Sequence, residues 1–394
     1  MPYYRRNLYI LSATIFLAAL SWNQVIPFLP LFLKQIGVTH NLLQWTAVVF
    51  AAHSLSCIIA LPFWGKLGDR YGQKPMVLRA GIFLTGIYFA MSLCATPWQL
   101  LILRFLNGAL TGFIPCSVAL IATNTPQEHA PRSVATAQAA SAAGLIIGPA
   151  VGAWLPSIFG GDYRITMQLS GLAVLISTLL VWRFVEEPNR TKISEETSLL
   201  QDFLIALRSP ILASVMFTAM LGSVFGAAVT PVLALHLTAM NGAVPPWLKG
   251  AVFSLPPIAF LLSAHPWTRF GERCGFHTAI YIGLIGGAAC AIGLTFARYI
   301  WQFSALFFVT ALFFTAITPA IAAIICIQVK ESFRGRAYGM QNSAATFGAL
   351  IAPLAASRVE VAFGISSVFA FAGIVTLAGT LALPLMIRRW DSHA

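Results

Sequence analysis

Apolar runs such as ILSATIFLAAL, LIGGAACAIGL and FAFAGIVTLAGTLALPLMI constrain this chain more than any other feature. A helix needs about 20 apolar residues to cross roughly 30 Å of hydrocarbon. Runs of this kind recur from one end of the sequence to the other. Only 9% of the 394 residues are charged, against about 25% in a soluble domain. Mean hydropathy is +0.80. The chain is therefore expected to be an all-α integral membrane protein. A membrane β-barrel would instead alternate over segments of about ten residues, and no such alternation is present.

Twelve spans are expected, near 7–33, 42–65, 76–95, 98–124, 131–158, 164–185, 210–238, 247–269, 277–297, 300–328, 335–358 and 363–387. Polar or proline-bearing breaks separate them, among them GDRYGQK, TPQEHAPR and KESFRGR. The longest break, EEPNRTKISEETSLLQD, is acidic and central. It divides the chain into a six-helix half at 1–185, a cytoplasmic linker at 186–208 and a second six-helix half at 209–394. Arg5 and Arg6 before an apolar stretch look like a signal peptide, but apolar character continues to Leu33. The segment reads as an uncleaved first span.

Lys and Arg set the orientation. The connections holding Arg5, Lys66, Arg70, Arg132, Arg190, Arg273, Arg336 and Arg388 carry most of the basic charge; the opposite set holds Lys34, Arg164, Lys249, Arg298 and Arg358. Both termini are accordingly expected in the cytoplasm. This bias also accounts for the net charge of +12 without a nucleic-acid partner. Five of the six cysteines sit in apolar runs and the sixth in a short loop, so no disulfide framework is expected.

The sequence repeats itself. TPWQLLILRF at 96–105 matches YIWQFSALFF at 299–308, an offset of 203. The same offset places Asp69-Arg70 on Glu272-Arg273 and Gly72 on Gly275. One more residue of shift aligns Gly144 with Gly348, Pro149 with Pro353 and Gln138 with Asn342. Parallel duplication of a six-helix half belongs to transporters that rock around a midplane site.

Three motifs stand out. GKLGDRYGQKP places Gly65, Asp69, Arg70, Gly72 and Lys74 as a charged, glycine-rich hinge between spans 2 and 3, with a decayed copy at Glu272 and Arg273. ILRFLNGALTGFIP carries Arg104 inside an apolar run, with Gly108, Thr111 and Pro115 expected on the same helical face. GLIIGPAVGA repeats Gly144, Gly148 and Gly152 at spacing four, with Pro149, a pattern that lets a second helix pack closely. With these motifs the chain resembles the major facilitator superfamily, and within it the drug:H⁺ antiporter branch of bacterial multidrug exporters. The resemblance covers the whole chain. It implies a conformational latch at the first motif, export as the direction at the third, and the proton gradient as driving force, with no bound cofactor or metal.

One departure qualifies the proton expectation. All twelve acidic residues fall in loops or at helix ends, so no span holds a carboxylate to carry a proton. The candidates for substrate contact or proton coupling are Asn23, Gln24, His53, Arg104, Asn107, Phe113, Gln138, His236 and Asn342. Phe28, Phe225, Phe253 and Phe260 are candidate aromatic walls of a cavity. There is no H-E-x-x-H, no phosphate-binding loop and no His/Cys ligand spacing, so no enzymatic activity is expected. The expectation is a monomeric multidrug exporter of small amphiphilic molecules in a bacterial inner membrane. The alternative is a dedicated exporter of an endogenous anion such as a carboxylate siderophore or a lysolipid, favoured by Arg104 without a carboxylate.

Overall fold

In hydrocarbon every backbone N–H and C=O must be satisfied within the chain, and a helix does this locally. The computed structural model describes residues 3–126, 128–188, 209–241, 245–329 and 331–391, and every regular element among them is helical. In chain order they are α1 (Tyr3–Val25), a 3₁₀ turn (Ile26–Phe28), α2 (Leu29–Gln35), α3 (Leu42–Tyr71), α4 (Gln73–Ser92), α5 (Pro97–Leu110), α6 (Phe113–Asn124), α7 (Ala130–Ile158) and α8 (Arg164–Phe184). Then follow α9 (Pro210–Asn241), α10 (Pro246–Cys274), α11 (Phe276–Leu294), α12 (Ile300–Phe314), α13 (Ile317–Gln328), α14 (Glu331–Phe363) and α15 (Ser367–Asp391). Eleven stretches among the described residues are long and apolar enough to cross a membrane, and Ser367–Leu383 is a shorter apolar helix.

The chain clusters into two compact units, Met1–Glu195 with Val244–Ser254, and Glu196–Ala243 with Leu255–Ala394. The first has a core of Leu11, Ile15, Phe32, Tyr88 and Leu100 from α1, α2, α4 and α5. The second has a core of Leu284, Ile321, Ile324 and Ile325 from α11 and α13. The first turns of α10 group with the first unit: the Ser254 hydroxyl donates to the Ile146 carbonyl at 2.6 Å, and a Cβ on Gly250 would lie 2.7 Å from the Ala150 Cα.

The internal repeat survives as geometry. Trp64 Nε1 donates to the Ala109 carbonyl at 2.6 Å, and 203 residues later Trp267 Nε1 donates to the Leu312 carbonyl at 2.8 Å. Gly72 ends α3 at φ +97° and Gly275 ends α10 at φ +93°. Each returns its N–H to a glycine carbonyl four residues back, Gly68 and Gly271, at 2.9 Å. A Cβ on Gly144 would meet the Phe16 carbonyl at 2.6 Å, and one on Gly348 would meet the Met220 carbonyl at 2.6 Å. Both members of that pair are displaced by 204. Each unit thus repeats the same close approach of its first and fifth span.

Two expectations from sequence are corrected. The charged motif is not a loop: α3 runs through Gly65 and Gly68 to Tyr71, and the chain breaks only at Gly72. Interior glycines weaken a helix by about 1 kcal/mol, which neighbouring turns can absorb, whereas φ +97° requires glycine. Nor do Arg104, Gly108, Thr111 and Pro115 share one uninterrupted face. α5 stops at Leu110 and α6 starts at Phe113, with Gly112 at φ +123° between them. Pro115 has no N–H to give to the Thr111 carbonyl, and its ring crowds that carbonyl, so the helix parts there.

Candidate functional site

A helix end inside a membrane leaves carbonyls that must find donors. At the α5–α6 break three side chains supply them. Cys57 Sγ reaches the Gly108 carbonyl at 3.5 Å, Trp64 Nε1 the Ala109 carbonyl at 2.6 Å and Arg79 Nη2 the Thr111 carbonyl at 3.3 Å. Arg79 also lies over the Trp64 ring, 3.4 Å from its centroid, a stabilising cation–π contact. Neither Arg79 nor Trp64 was among the candidates read from sequence. The available signal was Pro115, which frees the carbonyl four residues before it.

Next to this break lies a buried cation. Arg104 is 2% exposed and Asn107 0%, and Arg104 Nη1 donates to Asn107 Oδ1 at 3.3 Å. The guanidinium carbon lies 5.3 Å from the Trp22 ring centroid and 5.8 Å from that of Phe50. His53 packs on Trp22 at 4.9 Å and contacts Cys57 Sγ through Nε2 at 3.5 Å. Arg104 Nε, Asn107 Nδ2, His53 Nδ1 and the Tyr88 hydroxyl are buried without a partner. A charge at the bilayer centre costs at least about 2.5–3.5 kcal/mol on insertion scales. One amide oxygen and two aromatic faces offset part of that cost, and among the described residues no carboxylate pairs with Arg104.

The glycine series of α7 faces α1. A Cβ on Gly148 would lie 2.7 Å from the Asn23 Cβ and 2.9 Å from the Leu20 carbonyl, and one on Gly152 would collide with the Gln24 backbone. Asn23 gives its amide to the Ala19 carbonyl at 3.0 Å. Gln24, 2% exposed, donates to the Thr166 carbonyl at 3.3 Å and to the Ser170 hydroxyl. Its amide nitrogen ties α1 to α8. Phe28 is buried against Phe253 at 5.7 Å and Tyr163 at 6.1 Å. Burial pushes the Tyr163 phenol up to about 12, so it remains a neutral ring.

At the first motif, Glu187 dominates the geometry. Its carboxylate accepts from the Gln73 N–H at 2.7 Å and the Lys74 N–H at 3.0 Å. An anion at a helix N-terminus meets both free donors and the positive end of the dipole. Lys74 Nζ donates to the Trp182 carbonyl at 3.3 Å, and Arg70 lies 5.5 Å from the Tyr71 ring centroid. Arg6 pairs with Glu186 at 2.6 Å, and Asn7 exchanges two hydrogen bonds with the Glu186 backbone. The start of the central segment is thereby fastened to α1 and α4. The side chains of Lys66 and Asp69 and the position of Gly65 against its neighbours lie outside the described set, as do residues 189–208. Glu272 and Arg273 are exposed at the end of α10.

The remaining candidates have these surroundings, each within its own unit. Gln138 and Asn342 are exposed on α7 and α14, and Phe260 is 42% exposed on α10. Phe113 is 2% exposed within the first core. Phe225 packs on Phe314 at 5.0 Å. His236 is 3% exposed, wedged between Phe369 at 4.8 Å and Phe303 at 5.2 Å, with both ring nitrogens unpartnered.

Comparison with known proteins gives this geometry a family. The Major Facilitator Superfamily profile matches residues 11–248 and 246–393. Multidrug resistance protein MdtG of Enterobacter lignolyticus (strain SCF1) is 30% identical over 396 residues, covering 99% of this chain and 94% of its own. That of Proteus mirabilis (strain HI4320) is 30% identical over 378 residues, covering 94% and 93%. Among solved structures, the nucleoside transporter NupG superposes with a TM-score of 0.81 at 13% identity, over 96% of this chain and 99% of its own. The human organic anion transporter MFSD10 (TETRAN) gives 0.73 at 16%, over 97% and 100%. With its duplicated helices, its α1–α7 seam and this near full-length similarity, the chain is a multi-pass membrane protein that belongs to the Major Facilitator Superfamily of transporters.

Proposed function

We propose that the chain exports small amphiphilic compounds across a bacterial plasma membrane by alternating access. In this reading Ser367–Leu383 completes a set of twelve spans, both termini face the cytoplasm, the working unit is a monomer and the proton gradient drives transport without a bound cofactor. The observation that carries the reading is full-length similarity to multidrug resistance proteins at 30% identity. The intact glycine seam of α7 against α1 supports it, because the same face accompanies export in the resemblance drawn from sequence. The excess of Lys and Arg on one set of connections supports the orientation. The test is accumulation of a fluorescent amphiphile by cells expressing the protein. Wild type is expected to lower accumulation and Gly148→Leu to abolish that effect. Equal accumulation with and without the wild-type protein would overturn the reading.

A second reading rests on Arg104. A buried arginine that no carboxylate pairs with among the described residues supports export of one endogenous anion. In the same assay it predicts activity toward a single anionic compound and none toward a chemically varied panel.

A further inference from the structure

The orphan atoms around Arg104 share a chemical character. Arg104 Nε, Asn107 Nδ2 and the Tyr88 hydroxyl carry hydrogens to give, and His53 Nδ1 gives or accepts according to its tautomer. Tyr88 is 1% exposed and Asn107 0%. Both His53 and Tyr88 lie within electrostatic reach of the Arg104 charge. Buried donors in native proteins are nearly always satisfied. Here several come together from α3, α4 and α5; His53 also meets the Arg104 backbone, and the side-chain acceptor bonded to Arg104, the Asn107 amide oxygen, is already used at 3.3 Å. The twelve acidic residues all lie in loops or at helix ends in the sequence, and among the described residues none is a counter-ion to Arg104. Trp22 and Phe50 add aromatic faces at 5.3 Å and 5.8 Å from the guanidinium carbon.

We propose that the Arg104–Asn107–His53–Tyr88 cluster, inside the first unit, is a binding subsite for the carboxylate of a hydrophobic anion. This rests on the export reading and names the cargo class that the protein prefers. A planar guanidinium matches a carboxylate in shape, and a hydrogen bond between charged partners is about twice as strong as a neutral one. Trp22 and Phe50 line the approach to the apolar body of the ligand. The cluster disfavours an organic cation, which would meet Arg104 with no acid to balance either charge.

The experiment compares 1-pyrenebutyrate with its methyl ester, which share one apolar body and differ by one charge. Both are titrated by fluorescence against purified full-length protein in neutral detergent. Wild type is expected to bind the acid at least about ten-fold tighter than the ester. Arg104→Gln should bring the ratio close to one, and Arg104→Lys should keep an intermediate ratio, since a point charge remains without the fork. Arg104→Gln loses packing as well as charge, so Asn107→Asp is the companion variant. It places the missing acid beside Arg104 Nη1 in nearly the same volume. It should raise the melting temperature and also erase the preference for the acid.

A purely structural Arg104 gives a different pattern. Asn107→Asp would still stabilise the protein, but the acid-to-ester ratio would be the same in every variant. That outcome, or equal binding of acid and ester by wild type, overturns the subsite. Binding of neither probe by wild type would instead sink the export reading beneath it.

Discussion

At the scale of the residue, Gly72 and Glu187 show how a single position is fixed twice over. Gly72 holds φ +97°, and a Cβ there would stand 2.7 Å from Glu187 Oε2. Gly72→Ala therefore strains the backbone, by about 1–3 kcal/mol, and displaces the carboxylate that caps α4. Glu187→Gln keeps the shape of the cap and loses its charge, at about 0.3–1 kcal/mol. Thermal melts of the two single variants and the double variant check this. The double variant is expected to fall short of the sum, since the alanine has already displaced the cap. Full additivity would mean that the cap survives the alanine. Gly72 was legible in the sequence as one glycine of the charged motif, but not as the position where the helix ends. Glu187 was not, because its partners are 113 and 114 residues away and no local pattern joins them. Arg79 escaped for a related reason: its partner Thr111 is 32 residues away, and that carbonyl is free only because Pro115 withholds an N–H.

At the scale of the element, two features govern how helices meet. The first is the α1–α7 seam. Gly148→Leu would push a branched side chain into Asn23 and the Leu20 carbonyl, a cost of at least about 1–3 kcal/mol. Gly86→Leu on α4, where a Cβ meets nothing within 4 Å, is the control. Melting temperature and transport should both drop for Gly148→Leu and hold for Gly86→Leu. Wild-type behaviour of Gly148→Leu would contradict the seam. The second is the pair of tryptophan tethers. Trp64→Phe and Trp267→Phe each remove the donor to a carbonyl near a helix break, at about 1–3 kcal/mol for the group left unsatisfied. Trp64→Phe should cost more, since Arg79 also rests on that ring at 3.4 Å. Equal losses would show that the cation–π contact adds nothing. The sequence repeat exposed the duplication through Trp98-Gln99 and Trp301-Gln302, yet the Trp64 and Trp267 bonds it implies depend on side-chain direction, which periodicity does not carry.

At the scale of the whole molecule, hydropathy placed eleven membrane-crossing stretches to within a few residues, because the length of a span is set by the bilayer and not by packing. The candidate site was less legible. Arg104 and Asn107 were identifiable as polar residues inside an apolar run. Gln24 had the same signature, and only the fold reveals that its amide nitrogen is given to Thr166 and Ser170. The central claim is that this duplicated bundle is a secondary exporter. Its most direct test is the movement of 1-pyrenebutyrate in proteoliposomes of the purified protein. An imposed pH gradient should drive the probe against its own concentration gradient. Collapsing that gradient with a protonophore should stop the movement, and Gly148→Leu proteoliposomes should not differ from protein-free vesicles. Movement that only follows the probe's own gradient, at the same rate with and without the pH gradient, would contradict the account.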